Sequence, residues 1–124
     1  TIFWHRLSQA VASGDFVPVR DLFVGRAGWD AWAARYRQRL GNEDAQDAQD
    51  AQDAASLMQR TNPRFVLRNH LGEQAIRAAK TGDFAPLHAL QAVLARPFDE
   101  HSAHAEWAGF PPDWASSIEI SCSS

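Results

Sequence analysis

Few residues in this chain are suited to chemistry. They are one cysteine (Cys122), five histidines, two arginines four positions apart (Arg64 and Arg68), and a run of evenly spaced aspartates. Cys122 stands third from the end in the small polar stretch Ser121-Cys122-Ser123-Ser124. A thiol needs access and a stabilised thiolate to react. A mobile tail gives access, but no basic residue adjoins Cys122, so its residue type alone points to an inert thiol. His101 and His104 could lie on one side of a helix, with Asp99 and Glu100 close by. Zinc would need a third strong ligand, and surface histidines are the simpler reading. His70 follows Asn69 inside a helical pattern, where a polar pair calls for partners. A buried hydrogen-bond network to a neighbouring loop would supply them. Arg64 and Arg68, read on one helix, could hold a carboxylate or phosphate, or pair with Glu73 or other acids. Aspartates 44, 47, 50 and 53 recur at a period of three. This period drifts around a helix and brings no glycine turn of the kind a calcium loop uses.

No complete active site emerges. The chain lacks GxGxxG, GxxxxGK[ST], HExxH, HRD and DFG patterns. Its glycines are isolated, so no loop is built to cradle phosphates. We therefore expect no catalytic, cofactor-binding or metal-binding residue within these 124 residues. Net charge is −3 and the pI about 5.9, whereas nucleic-acid binders usually carry a basic excess. Apolar runs last only a few residues, far short of the roughly 20 that a membrane span needs. Neither nucleic acid nor membrane is an expected partner. The lone cysteine excludes an internal disulfide framework and suggests a reducing, cytoplasmic setting. The chain opens at Thr1 without an initiator Met and reads as a piece of a larger protein.

The elements that must position these groups are helical. The pattern predicts a helix over 5–13, stopped by Gly14, and a new turn at Pro18, with Leu22 and Phe23 in the core. Trp29, Trp32, Ala33, Tyr36 and Leu40 form one apolar stripe over 29–40, ended by Gly41-Asn42. The low-complexity Asp-Ala-Gln tract (43–54) reads as an insertion. It forms an exposed loop or the ragged start of a helix, without a core stripe, and Leu57 and Met58 point inward just after it. Asn62-Pro63 signals an N-cap and first turn for a helix from Pro63 to about Lys80, with Leu67, Leu71, Ala75, Ala78 and Ala79 inward. Gly82 stops it. Asp83 caps the next helix, in which Leu87, Leu90, Val93 and Leu94 face the core until Arg96-Pro97. Beyond Phe98 we expect a loop anchored by Trp107, Phe110 and Trp114, then a helical turn over 114–118. A very short strand at Ile118-Glu119-Ile120 and a flexible tail (115–124) complete the chain. The fold class is mainly α, an irregular bundle of about five short helices.

Several ordered blocks carry a resemblance. Asn62-Pro63-Arg64-Phe65-Val66-Leu67-Arg68-Asn69, Gln74-Ala75-Ile76, Gly82-Asp83-Phe84, Pro97-Phe98-Asp99-Glu100, Pro111-Pro112-Asp113-Trp114 and the terminal Ser-Cys-Ser-Ser resemble the C-terminus of the selenoprotein O (SelO/YdiU) family. They span roughly residues 58–124, and the Trp32 to Leu40 helix also looks like the family's upstream segment. The resemblance implies the C-terminal part of a protein-kinase-like fold. It implies a parent enzyme that uses ATP and Mg²⁺ to transfer AMP to Ser, Thr or Tyr hydroxyls of proteins. The family's catalytic base, nucleotide-binding lysine and metal-binding Asn and Asp would lie upstream. Partners would then be the upstream kinase-like lobes and protein substrates, in a bacterial cytoplasm. Cys122 matches the position that is selenocysteine in some members, which implies a redox role. In some members that residue pairs with a cysteine of the kinase-like part. The alternative is a non-enzymatic helical module that docks to or regulates a partner.

Overall fold

A computed structural model describes residues 1–41 and 45–118. Asn42, Cys122 and all but the first residue of the expected strand at 118–120 lie outside the described residues. The described chain is helical, with no strand among its residues: α1 Ile2–Ser13, α2 Val17–Arg20, α3 Arg26–Leu40, α4 Ala45–Thr61, α5 Asn69–Lys80 and α6 Ala85–Ala95. Two 3₁₀ turns, Ser102–Ala108 and Asp113–Ser117, follow. The mainly α expectation holds, with one more α-helix than the approximate five. The helices divide into two compact units, Thr1–Asn62 and Pro63–Ser124.

In unit 1 the core gathers Leu7, Ala10, Val11, Phe16, Val19, Trp29, Ala33 and Ala55. Leu7 and Val19 are completely enclosed, each contributing roughly 1.5–3 kcal/mol by leaving water. The stripe of α3 forms as its spacing predicts. Trp29 and Ala33 are buried, while Trp32, Tyr36 and Leu40 pack against the same core. Its aromatics continue a line of ring contacts from Phe23–Trp29 (4.9 Å) through Trp29–Trp32 (5.0 Å) to Trp32–Tyr36 (4.7 Å). Phe23 itself is partly exposed despite stacking on Trp29. The Asp-Ala-Gln tract enters one continuous α4 that packs on α1. A core stripe does form: Ala51, Ala54, Ala55 and Met58 fall at i, i+3, i+4 and i+7 and meet the core. The period-three drift is harmless there, because alanine at two adjacent turns is enough contact while Asp50 and Asp53 stay exposed. Leu57, expected inward, is exposed.

In unit 2 a smaller cluster of Leu71, Ala75 and Leu90 is flanked by Leu87, Leu94 and Trp107. The helix expected from Pro63 begins only at Asn69. The N–H groups of Arg64 and Phe65 both donate to the Pro97 carbonyl, at 2.9 and 3.1 Å. Phe65 is buried there, and its tertiary seat outweighs the local Asn-Pro signal. Asn62 closes α4 instead, its Nδ2 donating to the Met58 carbonyl at 2.9 Å. Leu67 precedes α5 and is exposed.

The two units are built on the same corner, a repeat that a reading of single motifs passes over. Gly14-Asp15-Phe16-Val17-Pro18 and Gly82-Asp83-Phe84-Ala85-Pro86 each join two helices. Both glycines take the left-handed conformation, φ 79° and 85°, which favours glycine. Both phenylalanines sit at φ −93° or −94° and ψ −1°. Both aspartates accept a hydrogen bond at 3.0 Å from the N–H two residues on, Val17 and Ala85.

Candidate functional site

The chemistry-bearing residues of unit 2 converge at the start of α5. Arg68 occupies the N-cap position with extended backbone and no side-chain cap. Its guanidinium reaches across to the 3₁₀ segment and donates to the carbonyls of Gly109 and of Ala108 (3.3 Å for the latter). This tie brings Pro111, Pro112, Asp113, Ala115 and Ser116 over the first turn of α5. Together with Arg68, Asn69 and His70 they line an open cleft of about 680 Å³, within the size range of small-molecule sites.

His70 is buried at this cleft. Its ring meets Trp114 edge-to-face, 5.9 Å between centroids and 87° between planes. The expected link from His70 to a neighbouring loop is therefore an aromatic contact, not a hydrogen-bond network. Burial pushes the imidazole below its ordinary range, and the nearby Arg68 charge lowers it further. A neutral imidazole thus stands at a helix N-terminus, where backbone N–H groups lack helical partners. The Asp113 side of the wall carries a carboxylate. The arrangement can hold a small polar group, but it offers no activated nucleophile: the Ser116 hydroxyl donates to the Asp113 carbonyl at 2.8 Å.

The remaining expected groupings come apart. Arg64 and Arg68 do not share a helix face, since both precede α5. Arg64 pairs with Glu100 at 2.6 Å, and Glu73 pairs with Arg77 at 2.8 Å on α5. His101 lies 2.9 Å from the Arg96 carbonyl and edge-on to Phe65. His104 stacks on Trp107 with centroids 4.1 Å apart. Asp99 pairs with Arg96 at 2.5 Å. Among the described residues no three His, Cys, Asp or Glu side chains form a group able to hold a metal ion. No helix among them is long and apolar enough to cross a membrane. Trp114 anchors the loop as its residue type suggests, through the His70 ring; the Gly109 and Ala108 carbonyls are the contributors that residue types did not reveal. The only signal was the aromatic and proline block from Phe110 to Trp114.

No protein-family profile matches the chain. Individual relatives do. All 124 residues are 56% identical to the protein nucleotidyltransferase YdiU of Variovorax paradoxus and 54% identical to that of Albidiferax ferrireducens, covering 24% of each. The YdiU protein of Paraburkholderia xenovorans is 56% identical over 119 residues, 22% of its length. The chain therefore spans about a quarter of the length of the curated relatives it matches.

Proposed function

The chain belongs to the YdiU (selenoprotein O) family of protein nucleotidyltransferases, and from that premise we propose that it is the C-terminal helical region of a kinase-like enzyme that transfers AMP from ATP to Ser, Thr or Tyr hydroxyls of proteins. In that reaction the hydroxyl oxygen bonds to the α-phosphorus, pyrophosphate leaves, and the hydroxyl proton passes to a base. The observation that carries the reading is identity of 56% sustained across all 124 residues with a protein nucleotidyltransferase.

Two observations support placing the Mg²⁺–ATP site outside this chain: no three His, Cys, Asp or Glu side chains among the described residues form a group able to hold a metal ion, and Asp30, Glu73, Asp99 and Glu100 are each held by an arginine. The reading accordingly assigns nucleotide, Mg²⁺ and catalytic base to the upstream kinase-like lobes, in a bacterial cytoplasm. This chain supplies helical support to them, and Cys122 serves as the redox-active thiol that the family position implies.

The test uses the full-length protein that contains this segment, incubated with Mg²⁺, α-³²P-ATP and a protein acceptor. Label on Ser, Thr or Tyr with release of pyrophosphate is expected, and none from the 124-residue chain alone. Label from γ-³²P-ATP instead, or no transfer by the full-length protein, overturns the reading and leaves the non-enzymatic helical module.

A further inference from the structure

The repeated corner allows the two units to be compared position by position, at a shift of 68 from Gly14 to Gly82. Their inner faces agree. Leu7 and Leu22 lie in or against the unit 1 core, and their equivalents Ala75 and Leu90 are buried in unit 2. Their outer positions do not agree. Ser8, Val11 and Phe16 are 1%, 6% and 6% exposed. The equivalent Ile76 and Phe84 are 52% and 51% exposed, and Ala79 is half-buried.

The cause lies in what covers the corner. In unit 1, α4 lies along α1 with an alanine stripe, and α3 places the Arg37 guanidinium 4.2 Å from the Phe16 ring centroid. Among the described residues, unit 2 has no α-helix in either role; the 3₁₀ segment Asp113–Ser117 reaches α5 beside this face, at His70, Glu73 and Arg77. Ile76 and Phe84 are left half open at positions that the same motif buries elsewhere in the same chain, a difference that an apolar cover over this face would remove. The relatives are about four times as long as this chain, which covers 24% of them, and in them ample further chain could supply such a cover.

We propose that the outer face of α5 and the corner at Phe84 are the docking surface for a helix from the remaining part of the parent polypeptide. That helix resembles what covers unit 1. It carries a small-residue stripe against Ile76 and Ala79, and an arginine or lysine over the Phe84 ring, where a cation is favoured by the ring quadrupole. The inference rests on the reading that the chain is one region of a longer enzyme. It does not depend on which group that enzyme transfers.

The test is site-directed thiol labelling. Ile76→Cys and Phe84→Cys are made singly in a Cys122→Ser background, in the 124-residue chain and in the full-length protein. Both positions are half-exposed here, so neither substitution opens a core. Maleimide reaction is expected to be at least tenfold slower at both positions in the full-length protein, and independent of protein concentration in the shorter chain. Equal rates in the two proteins overturn the proposal. So does slowing in the shorter chain that grows with concentration, which would assign the face to a second copy. AMP transfer assayed on the same full-length preparation separates failure of the enzymatic reading from failure of this one.

Discussion

Unit 1 and unit 2 turn the same Gly-Asp-Phe-x-Pro corner, yet hold it by different means. Unit 1 stacks α1, α3 and α4 so that apolar stripes meet, and its polar contacts are peripheral. Among the described residues, the main helix pair of unit 2 is α5 with α6. Its irregular segments are held by a few aromatic contacts, Trp107 on the core and Trp114 on His70, and by polar ties: Arg64 and Phe65 N–H to Pro97, and the Arg68 side chain to Gly109 and Ala108. A helix stripe is redundant, since each contact is one of many. A tie through one guanidinium is less so, because its loss leaves two carbonyls without that donor and the loop with only its ring contacts to hold it. The comparison teaches that one local motif can serve two economies of stabilisation, one of area and one of placed hydrogen bonds.

The largest effect comes from removing buried area in unit 1. Leu7→Ala empties a side chain only 1% exposed, and is expected to cost about 2–5 kcal/mol. The loss should concentrate in unit 1. Urea unfolding followed by residue-resolved hydrogen exchange checks it. Equal loss of protection in α5 and α6 would mean that the two units do not respond separately.

Unit 2 is probed next by Arg68→Ala. Losing the donors to Gly109 and Ala108 is expected to cost about 1–3 kcal/mol, and to raise amide exchange over 108–117 more than within α6. Arg68→Lys should recover only part of this, because one ammonium cannot reproduce a planar fork of donors. If exchange over that segment stays unchanged in Arg68→Ala, the polar tie is not what holds it.

The third probe is pH, acting through His70. Its folded pKa lies below the ordinary value of 6.5, through burial first and the Arg68 charge second. The unfolded chain therefore takes up the proton more readily than the folded one. Unit 2 should hold its full stability above about pH 6.5 and lose it progressively as pH falls through that value toward the folded pKa. His70→Gln should flatten this dependence. A ¹H NMR titration of the His70 ring, read beside melting temperature from pH 5 to 8, decides it. A His70 midpoint at or above 6.5 would sink the idea.

The same contrast explains what could be read in advance. The α3 stripe, the Gly14 and Gly82 stops and the inward face of α6 follow from spacing alone, since each is decided within a few helical turns; Asp83, expected as the cap of α6, precedes the N-cap Phe84 and accepts from the Ala85 N–H instead. The start of α5 does not. Asn62-Pro63 is a sound local signal, but the Pro97 carbonyl, over thirty residues away, captures the N–H groups of Arg64 and Phe65. The candidate cleft was half legible. His70 and the Phe110 to Trp114 block each stood out, but the arginine that joins them was assigned to a helix it does not enter. The corner repeat was legible in principle, as two copies of five residues, and required comparing the halves with each other. Periodicity thus encodes the regular helices of both units, and long-range contacts decide the irregular start of unit 2.

The smallest effect returns to unit 1 and asks whether its polar contacts are as peripheral as the comparison holds. Arg20 binds Asp30 through two hydrogen bonds, Nε to Oδ1 at 2.7 Å and the terminal nitrogen to Oδ2 at 2.8 Å. The hydrogen bond from Arg20, with its charge, holds the Asp30 carboxyl below its ordinary value of 3.8. A depressed carboxylate contributes its stability above the unfolded value, and loses it as pH falls through the folded one. Its window thus lies at and below about pH 3.8, well under that of His70. Both partners are open to water, which screens the pair. Asp30→Asn should therefore lower the melting temperature at neutral pH by less than either Leu7→Ala or Arg68→Ala. The gap from the unsubstituted chain should close between pH 4 and 2. A penalty at neutral pH as large as that of Arg68→Ala would show that unit 1, too, depends on a placed hydrogen bond, and the distinction between the units would fail there.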